Sequence, residues 1–390
     1  MDLTQLFKFM ADKQASDMFI SAGAPVLMKI EGETLPLNSQ ILDAATVKKI
    51  AYSLMSKDNI QTLETTLELN FGLTVPDVGK FRVNVFFQRG EVALVARYVN
   101  NKIPSLEALG LPAVLKDLVM EKRGLVLVVG QTGSGKSSTL AAMIDYRNAN
   151  RTGHILLIED PIEYLHHYKK SIVNQREVGL DTVSYATALL NAVREAPDVL
   201  MIGEIRDRET MQQAMMYAES GHLMMSTLHA NNSYHTLNRI INLFPAESRG
   251  HLLHDLSVTL KAVVSQRLVR GVDGKRVAAV EILMNSSYVA DLIKDGEVDK
   301  IKEAMEQSLT PGSQTFEQAL YNLYQEGRIS LDEALTNADS ATNLSWLINN
   351  GKRVEPAAPA SSASSSSSAT SLNEDTVINF SGFNLDADKS

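Results

Sequence analysis

The chain has 390 residues, a formal net charge of -9 and no cysteine. Without cysteine there are no disulfide bonds, no thiolate chemistry and no cysteine-ligated zinc sites. An acidic chain also lacks the basic footprint of a general nucleic-acid binder, so we expect no direct contact with nucleic acid.

Nothing in the sequence is typical of a membrane span or a secretory signal. Apolar runs such as Leu125–Val129 are much shorter than the ~20 residues that cross a bilayer. The first residues include Asp2 and have no basic stretch ahead of an apolar one. We therefore expect a cytoplasmic protein.

Residues 1–100 have the pattern of a mixed α/β domain. Apolar residues at helical spacing predict a first helix at Leu3–Lys13. Short strands, a second helix and a hairpin that turns at Arg89-Gly90 follow. Two prolines then indicate a linker over residues 101–114.

Residues 115–350 show buried strands that alternate with helices, then a mostly helical part. The strands are predicted at 125–130, 154–160, 198–204 and 222–229. Apolar strands with a helix between each pair predict a largely parallel sheet that is covered on both faces. Functional sites gather at the carboxyl ends of such strands.

Residues 351–390 change abruptly to a composition rich in serine and alanine. Such a segment buries too little apolar surface to order itself, so we expect a disordered tail. Its last part, VINFSGFNL, is apolar enough for a short docking peptide, although an unused tail is the favoured interpretation.

A phosphate-binding loop follows the first of these buried strands. Eight residues match G-x-x-x-x-G-K-[ST] and a ninth, Ser138, completes the site: Gly130, Gln131, Thr132, Gly133, Ser134, Gly135, Lys136, Ser137 and Ser138. Glycines let backbone N–H groups surround phosphate oxygens, and the following helix points its positive end at them. Lys136 reaches the β- and γ-phosphates and the Ser137 hydroxyl ligates Mg²⁺. The predicted cofactors are ATP and Mg²⁺.

Two acidic residues near other strand ends are predicted to complete the chemistry. Glu204 ends the strand at 198–204, and Gly203 stands where an aspartate is usual. We therefore predict that Glu204 holds Mg²⁺ through water. Glu163 follows Pro161, which ends the preceding strand, and is predicted to activate the attacking water. Glu159 remains equally well explained as a loop charge.

Two histidines, His222 and His229, bracket the fourth strand. Seven residues apart in an extended chain, they lie about 20–23 Å from each other and cannot share one metal. His229 either donates a hydrogen bond to the γ-phosphate or is an ordinary hydrogen-bonding histidine, and the residues leave both interpretations open.

Four segments in this order resemble the signature boxes of the type II/IV secretion ATPase superfamily: the phosphate loop, IEDPIEYLH, REAPDVLMIGEIRDRET and ESGHLMMSTLHANNS. The resemblance implies an α/β protein with a PAS-like N-terminal domain and a RecA-like P-loop ATPase domain. The latter would have a largely parallel central sheet and a helical C-terminal part. It also implies a homohexameric ring. The matching site residues are Lys136 and Ser137 as Walker A, Glu163 as the catalytic glutamate, Glu204 as the Walker B acid, and His222 and His229 as the histidine box.

Within this superfamily the chain resembles the pilus-retraction branch, PilT and PilU, because pilus-extension and type II secretion ATPases generally carry a four-cysteine zinc element and this chain has no cysteine. The segments NRIINLFP, LIKDGE and QTFEQALYNLY resemble PilU more than PilT. This resemblance implies ATP hydrolysis coupled to pilus retraction and twitching motility. It implies two partners, a PilT-type retraction ATPase and an inner-membrane pilus platform protein, and a peripheral position at the inner-membrane base of the pilus machine.

Hydrolysis is expected to need an arginine from a neighbouring subunit, because negative charge builds up at the γ-phosphoryl group. Arg82 and Arg97 lie on the predicted N-terminal hairpin, and the resemblance favours Arg97. Gln131 stands at a non-contacting position of the loop where many family members have proline, so we expect this difference to have little consequence. Two alternatives stay open: an ATP-binding regulatory scaffold of a PilT ring, and a related secretion or DNA-transfer ATPase.

Overall fold

Two β-sheets organise the chain, the first built before residue 100 and the second after residue 123. The structure is a computed structural model that describes residues 3–13, 15–30, 33–99, 102–307 and 310–350. The described residues up to Asn350 belong to one compact unit. The predicted tail, 351–390, lies outside the described residues, and the predicted domain and linker boundaries remain predictions.

The first sheet is antiparallel throughout. Its strands are β1 Asp17–Ile20, β2 Leu27–Ile30, β3 Glu33–Pro36, β4 Glu68–Val75, β5 Gly79–Gln88 and β6 Glu91–Val99. They lie in the order β3-β2-β1-β6-β5-β4. The predicted hairpin is confirmed as β5 and β6, with its turn at Arg89-Gly90. Three helices accompany this sheet: α1 Leu3–Asp12, α2 Ala44–Ser53 and α3 Lys57–Thr66.

One apolar core joins these three helices to the first sheet. Phe7 and Met10 of α1 and Val47 of α2 are buried against sheet residues such as Phe81 and Leu94. The short amphipathic helices therefore depend on the sheet for stability, since isolated helices of about ten residues are marginal in water.

The second sheet is largely parallel, as predicted. Its strands are β7 Gly124–Val129, β8 Gly153–Glu159, β9 Ser171–Glu177, β10 Val199–Ile202, β11 Leu223–Leu228, β12 Leu260–Arg270 and β13 Arg276–Met284. They lie in the order β13-β12-β7-β11-β10-β8-β9. All neighbours are parallel except β12 and β13, which form an antiparallel hairpin that turns near Asp273.

Helices cover both faces of this sheet and continue beyond it. They are α4 Val114–Met120, α5 Lys136–Asn150, α6 Tyr185–Ala192, α7 Arg208–Glu219, α8 Ser233–Asn242, α9 Arg249–Thr259, α10 Ser287–Lys294, α11 Ile301–Gln307, α12 Phe316–Gln325, α13 Leu331–Asn337 and α14 Ala341–Asn350. Every residue of β7, β10 and β11 is buried, because each strand packs on helices at both faces. The carboxyl ends of these central strands are thereby held rigidly at one edge.

Strand β9 was not predicted. Its sequence, SIVNQRE, is polar, and only Ser171 is fully buried, as expected for a strand at the edge of a sheet. Among the described residues, no helix combines the length and the apolar character that a membrane crossing requires.

Candidate nucleotide-binding site

The phosphate loop connects β7 to α5, as the motif predicts. Gly135 precedes α5 with a φ of 91°, in the left-handed region that favours glycine. At Gly130 a Cβ atom would lie 2.5 Å from the Gln266 carbonyl oxygen. Side chains at these two positions would therefore distort the loop. Its backbone N–H groups are kept near the positive end of a helix, which is a ready anion site.

Lys136 extends back across this loop. Its Nζ donates to the carbonyl oxygens of Gly130 and Gln131, each at 2.9 Å, and the residue is 8% exposed. Burial lowers the pKa of Lys136, and the charge of Glu204 acts in the opposite direction. The ammonium group is thus held where the phosphates of a nucleotide would lie in a P-loop.

The Ser134 hydroxyl group indicates whether a phosphate fits this loop. Within the described part of the chain its Oγ is buried and makes no hydrogen bond. Buried hydroxyl groups nearly always have a partner, so such an atom beside an anion-binding loop calls for a ligand. The loop therefore suits a group with several hydrogen-bond acceptors, such as a polyphosphate.

A cavity of about 310 Å³ opens beside the loop and brings most of the predicted site residues together. Seven of them line it: Thr132, Gly133, Lys136, Ser137, Glu163, Glu204 and His229. Ser138 lies at its edge, where its hydroxyl is 2.7 Å from that of Tyr164, a lining residue. Cationic, hydroxyl and carboxylate groups therefore converge on one space that can hold a nucleotide and a metal ion.

Glu204 follows β10 and is held by two neighbours. It accepts a hydrogen bond from Arg206 Nε at 2.8 Å, and its other carboxylate oxygen lies 3.1 Å from His229 Nε2. Desolvation lowers the pKa of His229, and the positive charge of Lys136 lowers it further. His229 is therefore neutral at pH 7. A carboxylate only accepts, so the tautomer with its hydrogen on Nε2 is the neutral form that can donate to Glu204 across this distance.

Glu163 lies in the loop that leaves β8, and its side chain is exposed at the cavity. Two side chains of strand β9 accept hydrogen bonds from the backbone of this loop and fix it. Ile162 N donates to Glu177 Oε2 at 3.2 Å, and His166 N donates to Gln175 Oε1 at 2.8 Å. The carboxylate of Glu163 therefore faces the cavity from a loop whose backbone is fixed, as its predicted position after Pro161 implies.

Comparison with known proteins decides the family. A family model described as "Type II/IV secretion system protein" matches residues 3–358. The chain belongs to this family. It is 48% identical to the type IV pilus ATPase PilU of Pseudomonas aeruginosa, over 90% of this chain and 92% of that protein. It is 40% identical to PilT of the same organism, over 88% of this chain and all of PilT.

A solved structure supports the same assignment. The crystal structure of the pilus retraction motor PilT with bound ADP matches with a TM-score of 0.83 and 41% identity, over 89% of this chain and 99% of that one. The predicted membership of the PilT/PilU branch, with greater similarity to PilU, is confirmed. So is the predicted fold, a RecA-like ATPase sheet with a mixed α/β N-terminal part.

Arg97 is not brought to the cavity within this chain. It lies on β6 of the first sheet, and its Nε donates to Asp17 Oδ1 at 2.8 Å. Arg82, its direct neighbour on β5, is 3.7 Å from Glu177. The predicted role of Arg97 in trans therefore remains a prediction. The Gln131 side chain donates to Asn231 Oδ1 at 3.4 Å, and its predicted place in the phosphate loop remains a prediction.

Several residues that surround the site were not predicted from the sequence. Asp160, Tyr185 and Thr227 line the cavity, and Gln175 and Glu177 hold the Glu163 loop. The motif around Asp160 was visible, but no local signal marked Gln175 and Glu177. Both belong to the polar edge strand β9, and their role comes from its pairing with β8.

Glu159 lines the cavity but is largely buried, and its charge is costly there. Burial raises its pKa from the ordinary 4.5 to about 7, against hydrogen bonds from Gln175 and the Glu163 backbone. Between these values the folded state binds a proton that the unfolded state does not. The free energy of unfolding therefore falls as pH rises from about 4.5 to 7, by up to about 3 kcal/mol.

Glu159→Gln should remove this pH dependence, because the amide stays neutral and can still accept both hydrogen bonds. We expect the variant to gain stability relative to the wild type at pH 8 and to gain little at pH 5. Unfolding curves at both pH values test this, with Glu209→Gln, on the exposed first turn of α7, as the control. Equal differences at both pH values would contradict the assignment.

Proposed function

We propose that this chain is an ATP-hydrolysing motor subunit for type IV pilus retraction and twitching motility, which forms a homohexameric ring and acts with a PilT-type ATPase. The observation that carries the proposal is the convergence of Lys136, Ser137, Glu163 and Glu204 on one cavity. The names of the relatives, a PilU and a PilT retraction ATPase, point to the same process.

The phosphate loop binds the triphosphate through its N–H groups and Lys136. Ser137 and Glu204 are the residues that would hold Mg²⁺, which supplies charge neutralisation between the β- and γ-phosphates. Both line the cavity, and Glu204 has one oxygen near His229 and the other near Arg206. A carboxylate held from two sides suits a role in orienting a metal-bound water.

Glu163 acts as the general base. It draws a proton from the attacking water, while the rigid loop keeps its carboxylate facing the γ-phosphoryl group. His229, whose Nε2 lies 3.1 Å from Glu204, is placed to exchange that partner for a γ-phosphate oxygen when ATP binds. Loss of this oxygen after hydrolysis would return the hydrogen bond to Glu204, which gives the site two distinct states.

Arg97 of a neighbouring subunit stabilises the charge that develops at the γ-phosphoryl group. Its side chain is half exposed and, in the described part of the chain, is paired with Asp17 at the face of the first sheet, so it is available to a second chain. The ring lies in the cytoplasm at the inner-membrane base of the pilus machine. It engages an inner-membrane platform protein and no nucleic acid.

The rate of phosphate release by the purified chain, measured with and without a PilT-type ATPase, tests the proposal. We expect the chain to hydrolyse ATP by itself and the mixture to exceed the sum of the separate rates. A chain that binds ATP, hydrolyses none and still raises the PilT rate would be a regulatory scaffold, and the motor proposal would be wrong.

Mixing two inactive variants tests the arginine. Arg97→Ala retains the base and Glu163→Gln retains the arginine, so each ring by itself should hydrolyse little ATP. In rings reassembled from equal amounts of both, one interface in four combines an intact base with an intact arginine. The rate should then recover to roughly a quarter of the wild-type rate. Arg89→Asn, at the exposed hairpin turn, is the control. Absence of recovery would place Arg97 outside the neighbour's site.

A further inference from the structure

The edge strand β9 holds the loop that carries Glu163. Gln175 accepts from His166 N at 2.8 Å and donates to the Tyr164 carbonyl oxygen at 2.8 Å. Glu177, two residues along and on the same face of the strand, accepts from Ile162 N at 3.2 Å through Oε2. The amide that Glu177 holds therefore belongs to the residue directly before Glu163.

The other oxygen of Glu177 faces the first sheet. Glu177 Oε1 lies 3.7 Å from Arg82 Nε, and the two side chains are 15% and 30% exposed. Arg82 lies on β5 directly opposite Arg97 on β6, so the two side chains share one face of the first sheet. One carboxylate thus connects that face to the Glu163 loop.

A second contact beside this pair keeps the two elements close. Leu180, in the turn that follows β9, lies against Gly72, with its Cδ2 3.3 Å from the place that a Cβ atom on Gly72 would take. Gly72 is the neighbour of Arg82 on β4. Glu177 is fixed at its own backbone as well, because Glu177 N donates to Asp181 Oδ2 at 2.9 Å. The strand end is therefore rigid, and movement of the first sheet acts on the Glu177 side chain.

We propose that Glu177 is a positioning residue that couples the first sheet, through Arg82, to the orientation of Glu163. The proposal rests on the proposed function, in which Glu163 is the base. With Arg82 in contact, Oε1 is fixed and Oε2 holds Ile162 N in one geometry. When Arg82 moves away, the carboxylate is free to rotate and the loop loses its fixed acceptor.

The expected effect is on the chemical step rather than on ATP binding. A misplacement of about 1 Å at a catalytic group costs up to 10²-fold in rate. The phosphate loop, which binds the nucleotide, makes no contact with Glu177 among the described hydrogen bonds. Glu177→Ala should therefore lower kcat roughly 10- to 100-fold and change KM for ATP by less than about twofold.

Two milder variants distinguish the roles of the two oxygens of Glu177, one of which pairs with Arg82 while the other accepts from Ile162 N. Glu177→Gln keeps an acceptor for Ile162 N but loses the ion pair, and Arg82→Ala removes the pair from the other side. Both should lower kcat by a similar factor, and the double variant should lose no more than either alone. Arg176→Ala is the matched control, because it removes a second arginine–glutamate pair on the same strand, with Glu195 at 2.6 Å.

Hydrogen exchange at residues 162–166 supplies a measurement that does not depend on activity. Glu177→Ala should speed exchange of the Ile162 amide most, and Glu177→Gln should speed it less, because an acceptor for Ile162 N remains but is no longer fixed by Arg82. Three results would overturn the proposal. They are an unchanged kcat in Glu177→Ala, a rise in KM of that variant as large as its fall in kcat, and full additivity of Arg82→Ala with Glu177→Gln. If Glu163→Gln kept normal turnover, the base assignment would fail, while the exchange result would still report whether Glu177 holds the loop.

Discussion

Lys136→Ala should lower the rate of ATP hydrolysis by about 10²- to 10³-fold, the usual effect of removing one group that stabilises transition-state charge. The reason lies in the position of the ammonium group. It is buried and held by the carbonyl oxygens of Gly130 and Gln131, which places a full positive charge inside the phosphate loop. Alanine would leave those carbonyl oxygens facing the phosphates without any cation.

Steady-state phosphate release and nucleotide binding should both be measured for this variant. Lys136→Arg is expected not to recover activity, because a planar guanidinium does not fit where a single Nζ meets two carbonyl oxygens at 2.9 Å. Lys122→Ala, at an exposed position before β7, is the control and should match the wild type. Wild-type turnover in Lys136→Ala would exclude the loop as the phosphate site.

Glu163→Gln should bind ATP with nearly unchanged affinity and hydrolyse it about 10²- to 10⁴-fold more slowly, the range for loss of general acid–base catalysis. The amide has almost the shape of the carboxylate, so the loop should keep its backbone hydrogen bonds from Ile162 and His166. Only the ability to take a proton is lost. A single-turnover measurement separates this loss from slow product release.

The control for this variant is Glu121→Gln, which removes an exposed carboxylate at the end of α4. It should retain wild-type turnover and affinity. If Glu163→Gln also retained them, another carboxylate of the cavity would have to activate the water. Glu159, Asp160 and Glu204 are the other lining carboxylates, and each would then be tested in the same way.

Local signals predicted the phosphate loop and the parallel sheet. The loop is one continuous motif between a buried strand and a helix, and β7, β10 and β11 are continuous apolar runs because both of their faces are covered. The Glu163 loop was predicted because Pro161 interrupts a clear strand pattern. These features depend on neighbours in sequence, which a pattern can register.

The residues that hold the site in place are distant from it in sequence, and for that reason they were not predicted from the sequence. Glu177 contacts Arg82 from the other sheet, and Gln131 contacts Asn231 a hundred residues later. Strand β9 is polar because it lies at an edge, so neither alternation nor an apolar run marks it. Its side chains acquire a role only when β8 pairs beside it and brings Glu159 opposite Glu177.

The most direct test is a crystal structure of the Glu163→Gln variant with Mg²⁺ and ATP. The phosphates should lie in the Gly130–Ser137 loop, with Lys136 and Glu204 facing the γ-phosphate. A water should lie within about 3.2 Å of the side chain at position 163 and in line with the γ-phosphorus. A nucleotide bound away from this loop, or one whose γ-phosphate points away from the acidic residues, would contradict the account.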